Sequence, residues 1–204
     1  MLVKTYPLSN NRKLEIHTDD IPDSPRGWDN NGTMVCFHKR YDLGDKHGYK
    51  SSDFSGWDEL EAHIREDHDV VVILPLYLMD HSGITIRTNS DQFRACDSAG
   101  WDWGQVGFIF ASRESLKNGG HPDDVDIEKV ETWLRGEVKT YDQYLRGDIY
   151  GFQVRELCEH CGSDGDVVDS GWGFYGSDPL ENGIADHLSE GDRDTLKRHI
   201  EKKH

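Results

Sequence analysis

The cysteines of LCEHCG, Cys158 and Cys161, have the two-residue spacing of half a tetrahedral zinc site. A structural zinc ion takes four ligands, and no second cysteine pair of this kind follows in the chain. Cys36 and Cys96 stand alone, so they, or His38, His47 and His160, would have to arrive from elsewhere in the fold. A redox pair of the thioredoxin kind sits at a helix N-terminus, which lowers the thiol pKa. CEHCGSDGD instead has the glycine and aspartate content of a strand-to-strand turn. A turn carrying two ordinary thiols is the simplest expectation, and a structural zinc is the cofactor that Cys158 and Cys161 would hold.

MDHSG, residues 79–83, lies just beyond the most apolar stretch of the chain. Asp80 beside His81 suggests an oriented imidazole with Ser82 at hand. Neighbours on a strand point to opposite faces, however, so these two do not readily form a catalytic pair, and a plain turn explains the composition. Cys36 and His38 share a strand face, which allows a cysteine–histidine nucleophile, although a cysteine in an apolar strand is usually core. His38, Asp80 and His81 are the catalytic candidates, and they would suit a small hydrolase or nucleotide-processing enzyme assisted by a metal. AGWDWGQVGF (99–108) and DSGWGFYG (169–176) crowd Trp101, Trp103, Trp172, Phe174 and Tyr175 among glycines, with Asp97, Asp102, Gln105 and Asp169 close by. Such aromatics either cap the ends of a core or line a binding patch. The binding candidates are therefore Trp101, Trp103, Trp172 and Tyr175, joined by an acidic run with Asp123, Asp124, Asp126, Glu128 and Glu131. Phosphate-loop, dinucleotide, zinc-protease, nucleophile-elbow and calcium-loop spacings are lacking.

The elements that must position these residues follow from periodicity. KLEIHT (13–18), TMVCFH (33–38), DVVVILPLYLM (69–79), QVGFIFAS (105–112) and IYGFQVREL (149–157) read as strands, and 165–176 as a strand running into an aromatic turn. The continuous apolar run at 69–79 suits a strand covered on both faces, with Pro75 marking a bulge or its end, and 105–112 is a second such strand. Trp57, Leu60 and Ile64 mark a short helix. Ile127, Val130, Leu134, Val138, Tyr141 and Leu145 mark a long one that Gly147 stops. Asp178, Pro179 and Glu181 look like a helix start, with Leu180, Ile184 and Leu188 as its apolar stripe. Ser189 with Asp192 caps a last charged helix through Lys203. The expectation is one α+β domain over 1–204: a mixed, mostly antiparallel sheet, one long packed helix, and a helical C-terminal tail (189–204) at its periphery.

Formal net charge is −16, and aspartates number 26 against 13 glutamates. That excess matches a halophilic surface, where carboxylates hold water and cations. The sharper alternative to that simpler explanation is a surface that imitates the phosphate ladder of DNA. Either way, direct non-specific binding to nucleic acid or to an anionic membrane is excluded. MLVKTYPLSNNRKLEIH lacks an apolar leader core, and the longest apolar run is far short of the ~20 residues of a membrane span. Four cysteines make no disulfide framework. A cytoplasmic protein with reduced thiols is expected.

Taken together, TMVCFHKRYDLGD, ILPLYLMDHSGI, WDWGQVGFIFAS, VKTYDQYLRGDIYGF and DSGWGFYG resemble a family of small acidic proteins encoded in many tailed-virus genomes. The likeness runs from about Thr33 to about Gly183. It implies a viral accessory protein acting inside a host cell, with a halophilic host indicated by the aspartates, and it carries over no catalytic residue. The function expected is binding and inhibition of a host protein, such as a defence nuclease (anti-restriction or anti-CRISPR-like action) or another DNA-binding factor. A minor virion component is a further alternative.

Overall fold

The computed structural model of the protein describes residues 1–202. Its contacts divide the chain into two compact units, one of Met1–Asp23 and the chain from Gly147 onward, the other of Ser24–Arg146. The α+β class is as expected. Among the described residues, however, the strands form two four-stranded sheets rather than one mixed sheet, and every strand pairing is antiparallel.

The terminal unit contains β1 (Leu2–Pro7), β2 (Arg12–Thr18), β7 (Ile149–Leu157) and β8 (Asp164–Tyr175), in spatial order β1-β2-β7-β8. Alternation decides its faces. Leu14, Ile16, Phe152 and Val154 point to one side and are covered by Ile184, Ala185, Leu188 and Leu196. Leu196 belongs to α5 (Glu190–Glu201), which Ser189 caps by accepting a hydrogen bond from Asp192 N. Lys203, the expected end of this helix, lies outside the described residues. The helix expected from Asp178 does not form. Gly183 turns left-handed (φ +97°), and only a 3-10 turn, Ile184–His187, follows. Ile184 and Leu188 are core residues all the same.

The central unit, central in sequence, has β3 (Thr33–Cys36), β4 (Val70–Asp80), β5 (Ile84–Arg87) and β6 (Trp103–Ser112), in the order β3-β6-β4-β5. One face packs on α4 (Ile127–Leu145) through Val130, Leu134, Val138 and Tyr141. The other face meets Leu60 and Ile64 of α1 (Trp57–Asp67), which join Val35, Phe108 and Phe110. Two short helices, α2 (Asp91–Cys96) and α3 (Arg113–Asn118), flank β6 in sequence. Of the two apolar strands expected to be covered on both faces, β6 is buried along most of its length, whereas β4 is fully buried on one face only. Burial along β4 alternates, with Val72, Leu74, Leu76 and Leu78 turned to the core under α4. Pro75 does not end β4. The register shifts one residue later, between Leu76 and Tyr77, and β5 joins only from Tyr77 onward.

Two close approaches fix this sheet. A Cβ on Gly107 would fall 1.8 Å from Val35 O, so only glycine lets β3 and β6 come together there. The buried Arg26 guanidinium donates to both Asp45 carboxylate oxygens, to Glu137 Oε2 and to Gly32 O. That ties the loop before β3 to α4.

Candidate functional site

The site lies in the central unit, at the edge where three strand ends meet. Antiparallel pairing of Met79 with Trp103 brings the end of β4 beside the start of β6. Asp80 N donates to Asp102 O at 2.7 Å, holding the two chain ends together. The chain beyond β3 stays alongside β6, because Phe37 N donates to Val106 O. Between them is an open hollow of about 670 Å³, lined among others by His38, Arg40, Asp80, Trp101, Asp102 and Gln105. Sequence-distant candidates thus converge: His38, Asp80, Trp101 and Trp103 all line one hollow.

Asp80 and His81 do not pair with each other, and each has a separate partner. Asp80 forms an ion pair with Arg40, a residue that no motif or spacing singles out. His81 Nδ1 lies 2.7 Å from Asp102 Oδ2. A carboxylate there accepts a hydrogen bond from Nδ1–H, which leaves the lone pair of the neutral ring on Nε2. His38 is held the opposite way. Its Nδ1 accepts from Arg40 N and Tyr41 N, both at 3.3 Å, so its neutral ring carries the proton on Nε2. The ring also stacks on Tyr41, with centroids 5.0 Å apart. The Cys36–His38 nucleophile pair does not stand. Cys36 is buried, and burial pushes its thiol pKa up to about 12.

The two tryptophans of WDW do different work. Trp103 is half-buried, donates from Nε1 to Asp97 O at 2.8 Å, and packs near Tyr77 and Phe93. Trp101 is 86% exposed. Its loop is nonetheless ordered by one side chain, since the Asp97 carboxylate accepts from the backbone N–H groups of Ala99, Gly100, Trp101 and Asp102. These bonds, that from Asp102 foremost, hold the Asp97 pKa below the ordinary carboxylate range. The outcome is a large aromatic ring presented to solvent on a fixed backbone.

The remaining candidates lie elsewhere. Trp172 and Tyr175 belong to the terminal unit. There the Trp172 ring covers Gly151, and the Tyr175 hydroxyl donates to Asp23 O at 2.6 Å. Asp123 and Asp124 are exposed in the loop before α4, whereas Asp126 caps α4 by accepting from Glu128 N. Glu131 pairs with Arg135 one turn along. Part of the acidic run therefore serves the helix itself. Cys158 and Cys161 are exposed on the β7–β8 turn, as the composition indicated. The Ser163 hydroxyl and N–H, with the Cys158 side chain, draw the Cys161 pKa down. Among the described residues, no group of three or more His, Cys, Asp or Glu side chains is placed to hold a metal ion. Nor is any helix among them long and apolar enough to cross a membrane.

No family model, curated protein or solved structure matches this chain.

Proposed function

We propose that the protein acts by binding another protein, with the Trp101 loop and the hollow beside it as the recognition surface. The observation that carries this is the combination at Trp101: near-complete exposure on a loop that four hydrogen bonds to Asp97 keep rigid. Exposing an indole brings the fold no gain, whereas tryptophan is among the residues that dominate binding interfaces. Pre-ordering the loop lowers the entropy lost on association. Asp80–Arg40 and His81–Asp102 would supply the polar rim around the apolar anchor.

The setting is supplied by the resemblance to acidic proteins of tailed viruses. Within it the protein is a viral accessory factor working in the host cytoplasm, and its partner is a host protein with a basic face. A defence nuclease or other DNA-binding factor fits a ligand of charge −16. Affinity capture from host lysate at native salt, with and without competing duplex DNA, tests this reading. A single basic protein released by DNA supports it. A partner indifferent to DNA removes the mimicry while leaving the binding role, and no partner at all overturns both.

A second reading rests on the His81–Asp102 pair, whose geometry is that of a histidine oriented as general base. As a hydrolase, the protein would lose turnover by about 100-fold or more in His81→Ala, with an unchanged thermal midpoint. Equal rates in the two proteins would dismiss it.

A further inference from the structure

The β7–β8 hairpin ends in a tip formed by residues 158–163. Cys158 N donates to Ser163 O and Gly162 N to Cys158 O, each at 2.8 Å, which closes the tip at its base. Gly162 supplies the left-handed residue that the reversal needs (φ +69°). Both cysteines are exposed, and the Gly162 N to Cys158 O hydrogen bond curls the chain so that one tight turn carries both side chains. The Cys161 sulfur also lies 3.1 Å from the Ser163 hydroxyl. Two thiols three residues apart on one closed turn are within reach of each other by side-chain rotation, and both are open to a small reagent. A metal site would call for further protein ligands, which the tip does not bring together.

We propose that Cys158 and Cys161 form a reactive dithiol that exchanges with low-molecular-weight disulfides and closes to an intramolecular disulfide. The Cys161 thiolate, with the Ser163 hydroxyl as hydrogen-bond donor to its sulfur, attacks one sulfur of the external disulfide. The Cys161–S bond forms as the external S–S bond breaks, releasing one thiolate. The Cys158 thiolate then attacks the Cys161 sulfur of this mixed disulfide, and the second external thiolate leaves. The two protein thiols are oxidised and the external disulfide is reduced to two thiols, which take up the two protons lost from Cys158 and Cys161. Holding the second thiol on the same closed turn makes closure intramolecular, so the mixed disulfide is short-lived.

The other two cysteines are built-in controls. Cys96 is exposed and Cys36 is buried. The test uses the full, reduced protein incubated with oxidised glutathione until Cys96 is fully glutathionylated, followed by acid quenching and peptide mass analysis. The expected result is a 158–161 peptide lighter by two hydrogens, without a glutathione adduct, restored by dithiothreitol. In Cys158→Ser, Cys161 should instead retain glutathione. Persistent glutathione on Cys158 or Cys161 of the parent protein would overturn the proposal. So would unmodified thiols at the tip in the sample where Cys96 has reacted.

Discussion

Asp97 illustrates how much one carboxylate decides. Its four backbone hydrogen bonds turn AGWD from a loose loop into a platform for Trp101. Asp97→Ala should therefore weaken partner binding at least about tenfold through loop disorder, although residue 97 need not touch the partner. The change would be read as the loss of capture together with faster amide exchange at residues 99–102. Asp192 does comparable work for stability in the terminal unit. Its side chain is 2% exposed, pairs with Arg12, and accepts from Ser9 N, Ser9 Oγ and Ser189 Oγ. Burial alone would push the Asp192 pKa up. The hydrogen bonds from Ser9 and Ser189 and the charge of Arg12 together outweigh it and hold the pKa below the ordinary value. A lowered folded pKa means stability that is fully present above the unfolded pKa of about 4 and is lost as pH falls through the folded one. Asp192→Asn should cost roughly 2 kcal/mol in urea unfolding at pH 7 and should flatten the fall in stability below pH ~4. An unchanged acid profile would remove Asp192 from the account.

Among the elements, β6 matters most, since it is buried on both faces and its first residues border the hollow. Gly107→Ala drives a Cβ into the Val35 carbonyl and should cost about 3 kcal/mol or more in thermal or urea unfolding, by separating β3 from β6. A variant as stable as the parent would show that β3 can shift without penalty. The long helix α4 was legible because its apolar residues recur at helical spacing over five turns, and α1 for the same reason. β1 was not, because only Tyr6 of LVKTYP is buried and its pattern therefore carries no alternation. Leu180, Ile184 and Leu188 were legible as core but not as the element they belong to. A left-handed Gly183 breaks the helix while the same side chains still reach the sheet. The hollow was only half legible. His38, Asp80 and the WDW segment stood out by type, but their convergence depends on the β4–β6 register, and Arg40 and the His81–Asp102 pairing become visible only in three dimensions.

For the molecule as a whole, charge is the dominant physical fact. Thirty-nine acidic residues against 23 basic ones repel one another in the folded state. Raising salt from about 0.1 M to about 1 M shortens the Debye length from ~10 Å to ~3 Å and should relieve that repulsion. The thermal midpoint is therefore expected to rise by several degrees in potassium chloride over this range. A midpoint indifferent to salt would mean that the carboxylates are already neutralised by local pairing. The same screening sets the conditions for function: an interface steered by charge loosens in salt, whereas one anchored by Trp101 persists. The most direct test of the central claim compares the parent with Trp101→Ala in affinity capture at native salt, after confirming equal thermal midpoints. Binding through the Trp101 loop predicts that the captured protein falls at least about tenfold while stability stays within ~0.5 kcal/mol. Equal capture by the two proteins would contradict it.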